Sequence, residues 1–267
     1  MSVRVGLTLP SFVEDPEIPI AVARAAEAAE LDAVFVFDHL WRGAPPNRRP
    51  ALECFALLGA VAAETSRIHV GTLVARATLR PPATLSNCFL TAQRVSGGRL
   101  IAAIGAGDSE SRAENEAFGL DFGTMVDRID ALHDAVRATR DGDYPVWVGG
   151  HAAQVREIVT LADGWNGWGG TAERFAADAA LVREVAPAAT LTWGGLVLTG
   201  ADDAIARSKA ESRSLADGVL VGGPARIADQ VAAYEARGAE WVILGPVDSG
   251  DPSNADALGE VRRRLRN

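Results

Sequence analysis

The feature that most restricts how this chain can fold is an alternation. Short β-branched runs recur along almost its whole length, each followed by a longer stretch with apolar residues on one helical face. Parallel strands cannot be joined by tight turns, so strand, helix and strand in succession is the pattern of crossover connections. Val3 to Leu9 opens the series and ends at Pro10, and Ile18, Val22, Ala25, Ala26 and Ala29 line one face of the helix that follows. Ala33 to Phe37 is a second strand, ending at Asp38-His39, with an alanine-rich helix from Leu52 to Glu64. Ile68 to Ala75 leads to a helix over Pro81 to Val95, and Arg99 to Gly105 leads to one carrying the stripe Met125, Ile129, Leu132 and Val136. Tyr144 to Gly149, Gly164 to Trp168, Leu191 to Leu198 and Trp241 to Gly245 complete the strands, and a helix from about Ala255 to Arg266 ends the series.

Eight such units predict a closed (β/α)8 TIM barrel rather than an open doubly wound sheet. With 267 residues and no repeat, linker or low-complexity tract, residues 1–267 read as one domain. A formal net charge of -9 argues against a nucleic-acid surface. The one dense basic run, Arg262, Arg263, Arg264 and Arg266, falls at the end of the last helix, where positive charge complements the dipole. Cys54 and Cys88 form no disulfide framework or zinc-ligand spacing. No window is apolar for long enough to cross a membrane and no leader is evident, so a soluble, cytoplasmic protein is expected.

In a barrel of this kind chemistry sits where strands end, so the candidates can be read strand by strand. They are Pro10 and Ser11; Asp38, His39 and Trp41; Arg76 and Thr78; Gly105, Ala106, Gly107 and Asp108; Gly149, Gly150 and His151; and Trp165 and Asn166. Of the four histidines only His39 and His151 stand on this face, too few ligands for a metal hydrolase, and no metal is expected. Gly149-Gly150-His151-Ala152-Ala153 joins a strand to a helix start, which suits either a phosphate held by free amides or a tight turn that needs glycine. Asp38-His39 puts a titratable pair at a strand end, suited to proton exchange or simply to capping a turn. Trp41 and Trp165 either flank a planar ligand or fill the barrel mouth. No cluster of Lys or Arg on these loops marks a sugar-phosphate substrate.

Three groups of motifs carry a resemblance. The first runs from Arg67-Ile68-His69-Val70-Gly71-Thr72-Leu73-Val74 through Arg80-Pro81-Pro82-Ala83 to Ser96-Gly97-Gly98-Arg99-Leu100 and Gly105-Ala106-Gly107. The second is Val146-Trp147-Val148-Gly149-Gly150 followed by Ala162-Asp163-Gly164-Trp165-Asn166, and the third is Val221-Gly222-Gly223-Pro224. In this order they resemble the luciferase-like monooxygenase superfamily, especially its deazaflavin-dependent (coenzyme F-420) oxidoreductase branch.

The resemblance implies a cis peptide at Leu73-Val74 against the cofactor ring, and cofactor phosphate at Gly149, Gly150, Ala152 and Ala153. It implies ring contacts at Asp38, Ala106 and Gly107, with His39 as proton donor or acceptor oriented by Asp38. Asp108 stands where the branch commonly has glutamate, as a second acid or base. Arg76 departs from the family's small or hydroxyl-bearing residue and is expected to contact an anionic cofactor tail or occlude the pocket. Only the stretch around Asp141-Gly142-Asp143 joins the fourth helix to the fifth strand, where relatives carry a longer substrate-covering segment. The implied function is hydride transfer between reduced coenzyme F-420 and a small organic substrate, by a homodimer built through the helices after strands two and three. The alternatives are an FMN-dependent monooxygenase served by a separate cofactor reductase, and a flavin-binding protein without catalysis.

Overall fold

The structure, a computed structural model, describes residues 2–43, 48–109, 111–215 and 218–266. In chain order its elements are β1 (Arg4–Thr8), α1 (Glu17–Ala28), β2 (Ala33–Val36), β3 (Trp41–Arg42), β4 (Arg49–Pro50), α2 (Cys54–Glu64), β5 (His69–Arg76) and α3 (Pro82–Val95). There follow β6 (Leu100–Gly105), α4 (Ser111–Ala117), α5 (Met125–Thr139), β7 (Val146–Gly149), α6 (Ala152–Val159), β8 (Gly164–Trp168) and α7 (Ala172–Val185). The last are β9 (Thr190–Thr199), α8 (Asp203–Glu211), β10 (Leu220–Gly222), α9 (Pro224–Glu235), β11 (Trp241–Pro246) and α10 (Ser253–Arg266).

Strands β1, β2, β5, β6, β7, β8, β9 and β11 pair in parallel around a ring that the β11–β1 and β8–β9 pairings close. All eight expected strands, including the short Gly164–Trp168, are barrel staves, and the (β/α)8 reading is borne out. Three elements had no counterpart in the periodicity. They are the two-residue hairpin β3–β4, the helix α4, and β10, which pairs only with the end of β9 through Leu220↔Val197 to Gly222↔Thr199.

Alternation along each strand divides the core in two. On β6, Leu100, Ala102 and Ile104 face the helices, whereas Ile101 and Ala103 point into the barrel. The interior is filled by Ala33, Phe35, Leu73, Ile101, Ala103, Trp147, Trp241 and Ile243. Trp147 and Trp241 meet edge to face at 5.5 Å, and Phe35 lies 5.9 Å from Trp147. A side chain at Gly71 would come within 3.0 Å of the Phe35 ring, so the aromatic plug rests on a bare backbone.

The basic run at the end of α10 has a structural use. Arg262 grips Asp32 with two bonds of 2.9 Å, Arg266 reaches the same carboxylate at 3.1 Å, and Arg263 and Arg264 pair with Glu260. This ties the last helix to the loop before β2. Among the described residues, no helix is long and apolar enough to cross a membrane.

Candidate active site

The strand-end face is organised by a buried ionic network, and its centre is a residue that the sequence did not single out. Past the end of β2 the chain runs Phe37-Asp38-His39-Leu40. The His39 ring places Nδ1 2.7 Å from Oε1 of Glu114, on α4. The other oxygen of Glu114 accepts the amides of Leu40 at 2.6 Å and Trp41 at 3.2 Å, and Arg76 Nη1 lies 3.2 Å from Oε1. Burial pushes the Glu114 carboxyl up, but the His39 hydrogen bond, the Leu40 amide and the charges of His39 and Arg76 outweigh it and hold it below the usual carboxylate range. An ionised Glu114 can only accept, so the proton in its bond with His39 sits on Nδ1. That leaves Nε2 as the ring nitrogen that Glu114 does not engage.

Asp38 has a different task from the one expected. Only 2% exposed, it accepts the Arg76 amide at 2.9 Å and two bonds from Arg80, at 2.7 and 3.1 Å. It binds the end of β5 to the loop after β2, and the carboxylate that orients His39 is Glu114. Burial lowers the proton affinity of Arg80, yet the hydrogen bonds and charge of Asp38 and the hydrogen bond of Glu53 reverse the effect and raise it.

Arg76 is 3% exposed, and its Nε and Nη1 donate to the Asp38 carbonyl at 2.8 Å and the Asn115 side chain at 3.0 Å. Burial lowers its pKa against the pull of Glu114, Asp38 and Asp108. The side chain knits the acids together instead of reaching outward to a cofactor tail. Its Nη2 is buried without a partner among the described residues.

Asp108 is exposed and accepts both the amide and the hydroxyl of Ser111 at 2.9 Å, so it caps the start of α4. It is not hydrogen-bonded to His39, and its link to the pair is indirect, through the helix that carries Glu114.

The residues expected to hold a cofactor lie on the neighbouring strands. The Leu73-Val74 peptide is cis, and the β5–β6 register shifts between Thr72 and Ala75. Val74 lies against two glycines: a Cβ at Gly105 or at Gly149 would come within 2.5 Å of one of its methyls. Leu73 turns into the barrel interior. Beyond β6, Ala106 is half-buried and Gly107 adopts φ +76°, which any side chain would strain. Gly150, at φ 144°, turns the chain into α6, its carbonyl fixed by Trp165 Nε1 at 2.9 Å and its amide by the Asn166 carbonyl at 3.2 Å. His151 stands at the N-cap of α6 but its side chain makes no capping bond, so Ala152 and Ala153 begin the helix with amides that have no acceptor in their own helix.

Trp165 is 1% exposed and stacks on Phe175 at 5.9 Å, which makes it an outer-core residue. The aromatic that stands at the mouth is Trp168, 46% exposed, whose ring covers the bare backbone of Gly194 and meets Phe37 edge-on at 6.0 Å. Phe12 stacks on Phe37 at 6.2 Å and lies 5.5 Å from the His39 ring. Trp41 packs 5.3 Å from Phe118, which follows α4 and is 55% exposed. Among the described residues, no three of His, Cys, Asp and Glu are grouped to hold a metal ion.

Ser111 to Ala117 carries no apolar period, so the only sequence signal near Glu114 is the helix-start pattern of Asp108 followed by Ser111. In the sequence Trp168 only closes a strand pattern, whereas the fold stands it at the mouth.

The sequence model of the luciferase-like monooxygenase family matches residues 4–217. A protein of unassigned function from Mycobacterium tuberculosis is 28% identical over 189 residues, covering 57% of this chain and 65% of its own. The F-420-dependent glucose-6-phosphate dehydrogenase of Beutenbergia cavernae is 34% identical over 139 residues, covering 48% of this chain and 40% of that one. The chain thus spans less than two thirds of the length of these curated relatives. Among solved structures, an F-420-dependent secondary alcohol dehydrogenase in complex with an F-420-acetone adduct superposes over 100% of both chains, with a TM-score of 0.84 at 15% identity. At that identity the likeness speaks for the barrel alone, and membership rests on the family match across most of the strands. The chain belongs to the luciferase-like monooxygenase family.

Proposed function

We propose that this protein is an oxidoreductase that uses coenzyme F-420 to exchange hydride with a small organic substrate, with His39 as the proton relay. The observation that carries this reading is the His39–Glu114 pair, buried on its carboxylate side and placed on the strand-end face that also holds the Val74 platform and the start of α6. The names of the F-420-dependent relatives support it. The residues present fit such a group. Side chains at Gly105 and Gly149 would crowd Val74, the residue that would back the ring, and Gly150 with the amides of Ala152 and Ala153 leaves the kind of cradle that would take a phosphate.

When bound, the deazaflavin supplies the hydride chemistry. The protein supplies position and a proton. Glu114 fixes the His39 ring and its Nδ1 proton, so Nε2 takes a proton from a substrate hydroxyl during oxidation or returns one during reduction. The His39 hydrogen bond, the Leu40 amide and the charge of Arg76 favour an ionised Glu114, and Asp38 with Arg80 anchors the loop on which His39 stands. Phe12, Phe37 and Trp168 provide an apolar wall that excludes water from one side.

Spectral titration of the purified protein with coenzyme F-420 and with FMN tests the reading. Saturable binding of F-420 well below about 1 mM is expected, and binding of neither cofactor in that range rejects it. The family match keeps a second reading in place, an FMN-dependent monooxygenase fed by a separate reductase. Oxygen consumption with reduced FMN distinguishes it, and FMN binding without turnover of any kind would mark a non-catalytic flavin carrier. A homodimer through α2 and α3 belongs to the same proposal, supported by the exposure of Leu90 and Val95 on α3. Sedimentation at micromolar concentration checks it.

A further inference from the structure

The hairpin between β2 and α2 holds an arrangement that the proposed relay does not use. Arg42 on β3 and Arg49 on β4 are direct cross-strand partners. Directly opposed residues of an antiparallel ribbon share a face, and like charges so placed destabilise it. Both arginines are exposed, and neither has a carboxylate partner among the described residues, in a chain whose net charge is -9. By contrast, the buried arginines beside His39 are neutralised: Arg76 by Glu114, and Arg80 by Asp38 and Glu53. The face that Arg42 presents is the one toward the mouth, because its guanidinium lies 5.3 Å over the ring of Phe12, and Phe12 lies 5.5 Å from His39. Two unneutralised cations thus stand at the edge of an apolar aromatic wall, next to the candidate proton relay.

We infer that the β3–β4 hairpin is an anion-recognition arm: Arg42 and Arg49 together take the carboxylate of an organic acid whose apolar body lies against Phe12, Phe37 and Trp168, beside His39. Placing a carboxylate between the two guanidiniums removes their mutual repulsion and provides charge-assisted hydrogen bonds. The wall is built of aromatic rings, which suits an apolar acid better than a sugar phosphate. A cofactor tail would bring the same carboxylate chemistry, but its expected phosphate cradle follows β7, and β5 and β6 separate β7 from β2 around the ring. The inference names the substrate class for the oxidoreductase reading and rests on it for the role of His39, whereas the anion site itself stands on the hairpin.

Calorimetric titration of the full chain with benzoate, its neutral isostere benzamide, inorganic phosphate and glucose 6-phosphate tests the arm. Benzoate is expected to bind at least about tenfold more tightly than benzamide, with an advantage that falls as salt rises. In R42Q/R49Q that advantage should disappear while benzamide binding stays unchanged and the thermal midpoint does not fall. Equal binding of the two probes to the unsubstituted protein overturns the inference, as does an advantage that survives in R42Q/R49Q. Tighter binding of glucose 6-phosphate than of benzoate overturns the choice of an apolar acid. Titration of both proteins with coenzyme F-420 and with its tail-less deazaflavin chromophore separates the sources. Weaker F-420 binding by R42Q/R49Q with unchanged chromophore binding would assign the arginines to the tail and overturn a substrate site. If neither cofactor binds but the benzoate preference is present and lost in R42Q/R49Q, the arm is upheld and the oxidoreductase reading fails.

Discussion

Glu114 and His39 stand 75 positions apart in the chain, yet their side chains meet at 2.7 Å, and the glutamate side of the bond is buried. Glu114 is a positioning residue for His39: it selects the ring nitrogen that carries the fixed proton. E114Q keeps the shape and can still accept one bond, but it removes the charge. We expect turnover to fall by about 10- to 100-fold with a changed pH profile, while the affinity for coenzyme F-420 stays within a few-fold. An unchanged pH profile in E114Q would show that the pair is only structural.

Replacing His39 itself should act almost wholly on rate. Proton transfer by a placed side chain contributes typically about 100- to 10,000-fold, so H39A and H39N should turn over slower by that order while binding cofactor normally. Wild-type turnover by both variants on an identified substrate would make His39 structural.

The pH dependence of stability follows from the sign of the Glu114 shift. Its folded-state pKa is depressed, so its contribution is complete above the ordinary glutamate pKa of about 4.3 and is lost as the pH falls through the lower folded value. Glu27, whose carboxylate accepts the amides of Ser66, Arg67 and Ile68, behaves in the same direction. Thermal midpoints measured from pH 6 downward should therefore decline through this acid range, and E114Q should show a shallower decline than the unsubstituted protein. Parallel curves for the two proteins would contradict the assignment.

The Asp38–Arg80 pair should be costly to break from one side only. D38A leaves Arg80 half-buried with Glu53 alone and frees the Arg76 amide, and removing one partner of a buried pair typically costs about 3–5 kcal/mol. Urea unfolding measures this. A loss below about 1 kcal/mol would mean that the loop after β2 is held by other contacts.

Gly105 and Gly149 should tolerate no side chain. G105A or G149A drives a Cβ to within 2.5 Å of a methyl of Val74, which as a β-branched residue has few rotamers in which to escape. Overpacking of this kind costs about 1–3 kcal/mol, and the displaced platform should weaken cofactor binding by roughly tenfold or more. Calorimetry and spectral titration on the same samples report both effects, and F-420 affinity equal to that of the unsubstituted protein would remove Val74 from the cofactor platform.

What the sequence determined by itself was the barrel and the strand ends. Periodicity is a local property, set by which residues must face a core two or about three and a half positions apart, so all eight staves could be counted without knowing how they pair. The turn chemistry was local too, and Gly149-Gly150 ahead of Ala152 marked a helix start before any geometry was known. What the tertiary structure alone decided was the assignment of partners. Asp38 is adjacent to His39 in the chain, but successive residues leaving a strand point to opposite sides, so Asp38 turned toward Arg76 and Arg80 while His39 turned toward α4. The placement of Glu114 and Asp108 was likewise tertiary: Glu114 is buried on the inner face of a short polar helix and Asp108 stands at its solvent-facing start. The cross-strand meeting of Arg42 and Arg49 likewise depends on a hairpin register that no local pattern encodes, because two-residue strands have no period to read.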